Sequence, residues 1–285
     1  MQHFITLAKD QLGSIYSTQE INRIVRLLLE KLAGVNAVQY HTDKDMKIST
    51  ATSVKLGKAL ERIKQHEPLQ YVLGETAFSG LTLQVGPGVL IPRPETEELV
   101  EMILKDVASE GHKKLWRIVD ICTGSGCIAV SLAKRIPTVC MEGWDISDEA
   151  LGIASKNAAL YKTAITFRKL DVLTFESTES MTGTLDILVS NPPYVCQSET
   201  CTMEHKVLDY EPHLALFVSD ADPLVFYRKI ACLGTRMLKK GGWVYVEINS
   251  RLGKQTTLTF DEMGYSDVKL IRDINCRDRF IRATL

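Results

Sequence analysis

From residue 115 onward the chain alternates short apolar runs with amphipathic helical stretches, and few folds accept that order. Residues 117–122 read as a strand and 126–135 as a helix. Residues 139–145 read as a second strand, and Ser147 caps a helix that runs to about residue 161. Further strands are expected at 165–169 and 185–190. Asp222-Pro223 is a cap followed by proline at the first helical position, starting a helix to about residue 239. Gly241-Gly242 turns into a strand over 243–248, and a helix near 252–263 and strands at 266–271 and 280–284 follow. Such alternation implies a mostly parallel sheet covered on both faces, so the fold class is α/β.

The first third follows a different pattern. Residues 1 to about 67 look helical: Ser17-Thr18-Gln19-Glu20 is a capping box, with Ile21, Ile24, Val25 and Leu28 at helical spacing behind it. Leu56, Leu60 and Ile63 form another apolar stripe, stopped before Pro68. Phe78, Leu81, Leu83 and Val85, then Val89-Leu90-Ile91, are broken by Gly80 and Gly86-Pro87-Gly88, which predicts a hairpin connector. Pro92-Arg93-Pro94-Glu95-Thr96-Glu97-Glu98 opens a helix, where Glu97 and Glu98 complement the helix dipole. With 285 residues there is room for one large domain and a small one.

Several function classes fall away on composition. No run approaches 18 uninterrupted apolar residues, so no transmembrane helix is expected. Residues 1–17 hold Lys9 and Asp10 and lack a long apolar core, unlike a signal peptide. A net charge of −1 argues against a protein that holds nucleic acid mainly through phosphates. The seven cysteines are odd in number and scattered, which reads as reduced thiols in the cytoplasm. No histidine cluster accompanies them, so no metal is expected; His3, His41, His66 and His112 read as surface positions.

Asp120-Ile121-Cys122-Thr123-Gly124-Ser125-Gly126 follows the first strand of the alternating region and opens a helix. Glycines let the backbone approach a ligand, and a helix N-terminus offers free N–H groups. Gly124 to Ala129 fits G-x-G-x-x-A, and Asp145 lies where an acid meets a ribose diol, so a nicotinamide-dependent oxidoreductase is a real rival. Two acids favour S-adenosylmethionine instead. Asp120 would repel a pyrophosphate yet attract a methionine ammonium, and Asp171 could accept from an adenine amino group.

Asn191-Pro192-Pro193-Tyr194 directly follows the apolar run 185–190. Proline has no N–H, so this corner is rich in acceptors and poor in donors. It suits a ligand that brings its own N–H groups and a flat π-system, a primary amide or an exocyclic amine.

Taken together these segments resemble the HemK/PrmC family, the peptide chain release factor glutamine methyltransferases. The resemblance rests on Pro68-Leu69-Gln70-Tyr71-Val72-Leu73-Gly74, Leu90 to Glu97, Asp120 to Gly126, Asn191 to Tyr194, and Tyr210-Glu211-Pro212 with Ala215-Leu216. It implies a seven-stranded, Rossmann-like methyltransferase sheet with the last strand antiparallel. It also implies an amino-terminal helical substrate-docking domain at 1–74, a β-hairpin connector at 75–92 and a methyltransferase domain at 93–285. Carried over by position, Asp120 and Cys122 to Gly126 form the cofactor loop, with Thr123, Gly124, Ser125 and Gly126 at the methionine end. Asp145 takes the ribose, Asp171 and Val172 flank the adenine, and Asn191 borders both cofactor and substrate. Cys122 replaces the usual first glycine, so its position needs a φ that a β-carbon permits, and Val172 stands where some relatives carry an aromatic.

The implied reaction is methylation of the glutamine side-chain nitrogen in a GGQ tripeptide. That nitrogen is a poor nucleophile because its lone pair is conjugated with the carbonyl; the comparable backbone barrier is roughly 18–20 kcal/mol. Asn191 and Pro192 would accept its two N–H bonds, Pro193 would complete the substrate corner, and Tyr194 would lie against the amide plane. A monomer that binds release factors, with no membrane and no direct nucleic-acid contact, is the expectation. The alternative is an adenine-N6 methyltransferase acting on nucleic acid, which shares the Asn-Pro-Pro-Tyr corner.

Overall fold

The structure, a computed structural model, describes residues 1–111 and 115–285; His112 lies outside the described residues. The chain divides into two compact units, Met1–Glu75 with Glu204–Tyr210, and Thr76–Met203 with Glu211–Leu285. The first unit holds α1 (Gln2–Leu12), α2 (Thr18–Ala33), α3 (Ala37–Thr42), α4 (Thr50–Lys64) and α5 (Leu69–Leu73). Ser17 Oγ accepts the Glu20 amide at 3.3 Å while Glu20 Oε2 accepts the Ser17 amide at 2.9 Å, closing the expected capping box. The two apolar stripes meet: Ile21, Ile24, Val25 and Leu28 pack with Leu56, Leu60 and Ile63 in one core. His3, His41 and His66 are exposed, as expected.

In the second unit β1 (Glu75–Phe78) and β2 (Leu81–Gln84) pair as the hairpin, and α6 (Pro94–Ser109) starts with Pro94 in its first turn. Alternation then begins with β3 (Trp116–Ile121), α7 (Cys127–Arg135), β4 (Val139–Asp145), α8 (Asp148–Tyr161), β5 (Ile165–Lys169) and β6 (Leu185–Ser190). Short elements follow that the sequence pattern did not disclose: β7 (Val195–Cys196), α9 (His205–Tyr210), which belongs to the first unit, α10 (His213–Leu216) and β8 (Phe217–Val218). The chain ends with α11 (Val225–Met237), β9 (Leu238–Glu247), α12 (Gly253–Glu262), β10 (Ser266–Arg272) and β11 (Asp278–Thr284). Among the described residues the large sheet has seven strands in the order β10-β11-β9-β6-β3-β4-β5. Only β11 runs against its neighbours.

Two boundaries differ from expectation. The helix expected from Asp222 starts at Val225, because the Asp222 carbonyl closes a turn onto the Val225 amide at 3.4 Å and its carboxylate pairs with Arg228. The strand expected after Gly241-Gly242 runs through both glycines, with Gly241 at φ +80° and a register shift against β6 between Leu185 and Ile187. The glycines mark a bulge within the strand rather than a turn before it.

Each central strand splits its residues between two cores. Ile118, Ile187, Val189 and Tyr245 face α6 and α7 through Leu99, Val100, Ile128 and Leu132. Val119, Leu188, Val244 and Val246 face α11 and α12 through Tyr227, Ile230, Leu233 and Phe260. Burial on both faces is the reason these strands read as apolar runs, not as alternating ones. Strand order reverses at β3, which has β4 on one side and β6 on the other, and loops at the carboxyl ends of such strands form a crevice.

Candidate active site

The loop after β3 forms one wall of that crevice. The Thr123 amide bonds Trp144 O at 3.0 Å, and its hydroxyl donates to Asp120 Oδ2 at 2.6 Å. Cys122 (φ +59°), Gly124 (φ +54°) and Gly126 (φ +76°) all adopt the left-handed conformation. Glycine takes it freely; a side chain there costs roughly 1–2 kcal/mol. The loop therefore keeps the backbone shape of a glycine at Cys122 and tolerates the strain. At Gly126 a β-carbon would also come within 3.0 Å of Ala154 Cβ, so the approach of α7 to α8 requires glycine.

Asp145, at the end of β4, holds the loop from the other side. Its Oδ2 accepts the Gly124 amide at 2.8 Å and its Oδ1 the Ser147 amide at 3.0 Å. Each oxygen keeps a second lone pair for a ligand hydroxyl. Burial raises its pKa, against the Ser147, Gly124 and Ile146 amides. Asp171 Oδ1 accepts the Leu173 amide at 2.9 Å. Asp120 is fully buried; burial pushes its carboxyl up to about 7, against the Thr123 hydroxyl and the Ala129 amide. Its Oδ1 makes no hydrogen bond of ordinary length.

A cavity of about 380 Å³ opens between these loops. Of the residues named from sequence, Cys122, Thr123, Gly124, Ser125, Asp145, Asp171, Val172, Asn191 and Pro193 line it. Asp120, Gly126, Pro192 and Tyr194 lie off the wall: Asp120 and Gly126 stand behind the loop, Pro192 is buried, and the Tyr194 hydroxyl turns away onto Glu247. Val89, Leu90, Ile146, Leu173 and Phe226 make much of the surface apolar.

The corner after β6 is held by side chains far away in sequence. Asn191 Nδ2 donates to Thr96 Oγ1 at 3.2 Å, the Thr96 hydroxyl donates to Glu247 Oε2 at 2.7 Å, and the Tyr194 hydroxyl donates to Glu247 Oε1 at 3.0 Å. Asn249 Nδ2 adds bonds to Tyr194 O at 3.0 Å and to Glu199 Oε2 at 2.7 Å. Because Nδ2 is engaged by Thr96, Asn191 is left with Oδ1 as its free acceptor at the wall. Burial raises the Glu247 pKa, opposed by the Thr96 and Tyr194 hydroxyls and by Arg279.

Sequence reasoning missed Glu247 and saw Thr96 only as part of a signature; they are 1% and 2% exposed. The signal for Glu247 was present: a lone acid ending the apolar run Trp243-Val244-Tyr245-Val246. Glu211 was seen only as part of a signature. It is buried, with Oε2 accepting the Ile91 amide at 3.1 Å and Oε1 the Arg93 guanidinium at 2.6 Å. That clamp joins the two segments carrying Pro92 and Pro212, both on the cavity wall.

The wall fits S-adenosylmethionine. Carboxylates at the ends of adjacent strands offer acceptors for a diol and an amine, and Ile146, Val172 and Leu173 offer apolar faces for a flat ring. The buried Ser125 hydroxyl, on the wall, has no hydrogen-bond partner of ordinary length. Among the described residues no three His, Cys, Asp or Glu side chains converge as a metal site.

Residues 4–74 match the PrmC N-terminal domain and residues 96–210 the methyltransferase small domain. The release factor glutamine methyltransferase of Bacteroides thetaiotaomicron is 42% identical over 284 residues, 99% of each chain. The protein of the same name from Flavobacterium psychrophilum is 42% identical over 282 residues, 99% of this chain and 98% of its own. Among solved structures the delta-N METTL16 methyltransferase domain superposes with a TM-score of 0.50 at 17% identity, covering 72% of this chain and 89% of that one. That likeness speaks to the fold alone.

Proposed function

The chain belongs to the release factor glutamine methyltransferase family, and from that premise we propose that it methylates the side-chain nitrogen of the GGQ glutamine in a peptide chain release factor, using S-adenosylmethionine. The observation that carries this reading is Asn191, a cavity-wall amide whose Nδ2 is engaged by Thr96 and whose oxygen is left to accept. When bound, the cofactor supplies a methyl group already activated on a sulfonium, so no strong general base is needed. Asp145 would hold the ribose hydroxyls, Asp171 and Val172 would border the adenine, and Thr123 to Ser125 would border the methionine end. Asn191 Oδ1 accepts one N–H of the substrate amide, and the Pro192 carbonyl is the proposed second acceptor. Together they would hold the nitrogen lone pair out of conjugation and facing the cavity, and the proton that the nitrogen gives up would pass to water or a backbone carbonyl. Orientation of this kind acts through near-attack geometry and preorganised electrostatics. Tyr194 acts as a strut, through its hydroxyl on Glu247, more than as a platform.

In this reading residues 1–74 dock the protein substrate, 75–92 connect, and 93–285 carry the chemistry. Action as a monomer is part of the proposal. A translation factor as substrate supports a cytoplasmic location. No helix among the described residues is long and apolar enough to cross a membrane. Relatives named for a protein glutamine do not favour the nucleic-acid alternative.

The test is incubation with S-adenosylmethionine and a release factor, followed by peptide mass spectrometry. One added methyl on the GGQ glutamine is expected, and Asn191→Ala should lower the rate about 10²–10³-fold with little change in cofactor affinity. Methyl uptake elsewhere, or full turnover by a folded Asn191→Ala, overturns the assignment.

A further inference from the structure

Away from the candidate active site, four cations line one open groove of about 630 Å³ on the amino-terminal helical unit. Lys9 comes from α1, Arg23 and Arg26 from α2, and Lys44 from the segment after α3, and no carboxylate belongs to the wall. Lys31 and Arg62 are paired with Glu75 and Glu67, each at 2.5 Å, whereas Lys9, Arg23 and Arg26 form no ion pair among the described residues. Unpaired cations gathered on a concave surface leave their charge available to a partner.

The groove is held open by its own backbone. Arg23 and Arg26 stand one turn apart on α2, whose opposite face buries Ile24, Val25 and Leu28 in the core. Lys44 is steadied by Tyr40: its ammonium bonds the Tyr40 carbonyl and lies 4.0 Å over the ring. The Gln2 amide bonds Lys44 O at 3.0 Å and so ties that segment to the start of α1. Lys9, Arg23 and Arg26 thus ride on packed helices and Lys44 is steadied by Tyr40, which lowers the ordering cost of binding.

We propose that this groove docks a carboxylate-rich segment of the release factor that lies outside its GGQ tripeptide. The inference rests on the function proposed above and specifies how its protein substrate is held. Carboxylates match the groove because arginine forks bind them in bidentate fashion. A long nucleic acid matches it poorly. The whole chain is at −1, so with these four cations set aside the rest is acidic and repels an extended polyanion.

The test compares wild type with the double variant Arg23→Glu/Arg26→Glu, two exposed positions whose change leaves the core intact. Expected is a rise of about tenfold in KM for the intact release factor, with kcat unchanged and with methylation of a short synthetic GGQ peptide unchanged. A fluorescent oligoglutamate peptide should bind wild type, weaken with salt, and fail to bind the variant; this arm reads the groove without any methyl transfer. An unchanged KM for the intact factor, or equal oligoglutamate binding by both proteins, overturns the proposal. So does a single-stranded RNA oligomer that binds the groove more tightly than oligoglutamate. Wild type that binds oligoglutamate yet methylates no release factor overturns the occupant named here through failure of the proposed function, while the chemistry of the groove stands.

Discussion

Thr96 donates its hydroxyl hydrogen to Glu247 Oε2 at 2.7 Å across a separation of 151 residues. The same oxygen of Thr96 receives Asn191 Nδ2, so one hydroxyl orients the amide that faces the substrate. Thr96→Val keeps the shape and removes both bonds. It should lower kcat about tenfold to a hundredfold with cofactor affinity unchanged by calorimetry. Leaving Glu247 short of a partner should also cost about 1–3 kcal/mol of stability, read as a lower thermal midpoint. Thr96→Ser should restore both readouts; a Ser variant as impaired as Val would mean that the methyl group, not the hydroxyl, matters.

Asp145→Ala should act on the cofactor and spare the peptide site. Loss of a charged acceptor shared by a diol and the Gly124 amide should weaken S-adenosylmethionine binding roughly tenfold to a hundredfold in titration calorimetry. Unchanged affinity would count against a ribose contact.

Asp120 makes stability depend on pH in a definite direction. Its carboxyl is raised from 3.8 to about 7, so the folded protein holds that proton more tightly than the unfolded chain does. The stabilisation is complete below pH 3.8 and is lost as pH rises toward 7, at up to about 1.4 kcal/mol per unit. Asp120→Asn cannot titrate, so its thermal midpoint relative to wild type should climb between pH 5 and pH 8. A difference that stays flat over that range would remove Asp120 as the cause.

Gly126→Ala should destabilise by about 1–2 kcal/mol from the positive φ alone, with more from the contact at Ala154. Chemical denaturation gives the number, and a neutral result would mean that the turn relaxes.

The sheet was legible because each central strand is buried on both faces and some helix starts carry a local signal, such as Ser17 or Ser147. Residues at strand ends were legible too: Asn191 follows an apolar run directly, and Asp145 is the acid that ends the strand at 139–145. The support behind them was not. Thr96 resembles any first-turn residue, and its role exists only because β9 brings Glu247 beneath it. Gly241-Gly242 reads as a turn until the register with β6 is known. The orientation of Tyr194 likewise depends on tertiary hydrogen bonds, to Glu247 and from Asn249, that no local pattern encodes.

The stretch Glu204–Tyr210 belongs to the helical unit although chain of the larger unit flanks it on both sides. Tyr210 donates its hydroxyl to Gln65 O at 2.5 Å, and the next residue, Glu211, clamps Ile91 and Arg93. The helical unit is therefore no detachable cassette. Exchanging residues 1–75 for those of a distant relative would strand a loop one peptide bond from the catalytic unit's own clamp, so a working chimera has to carry both pieces together.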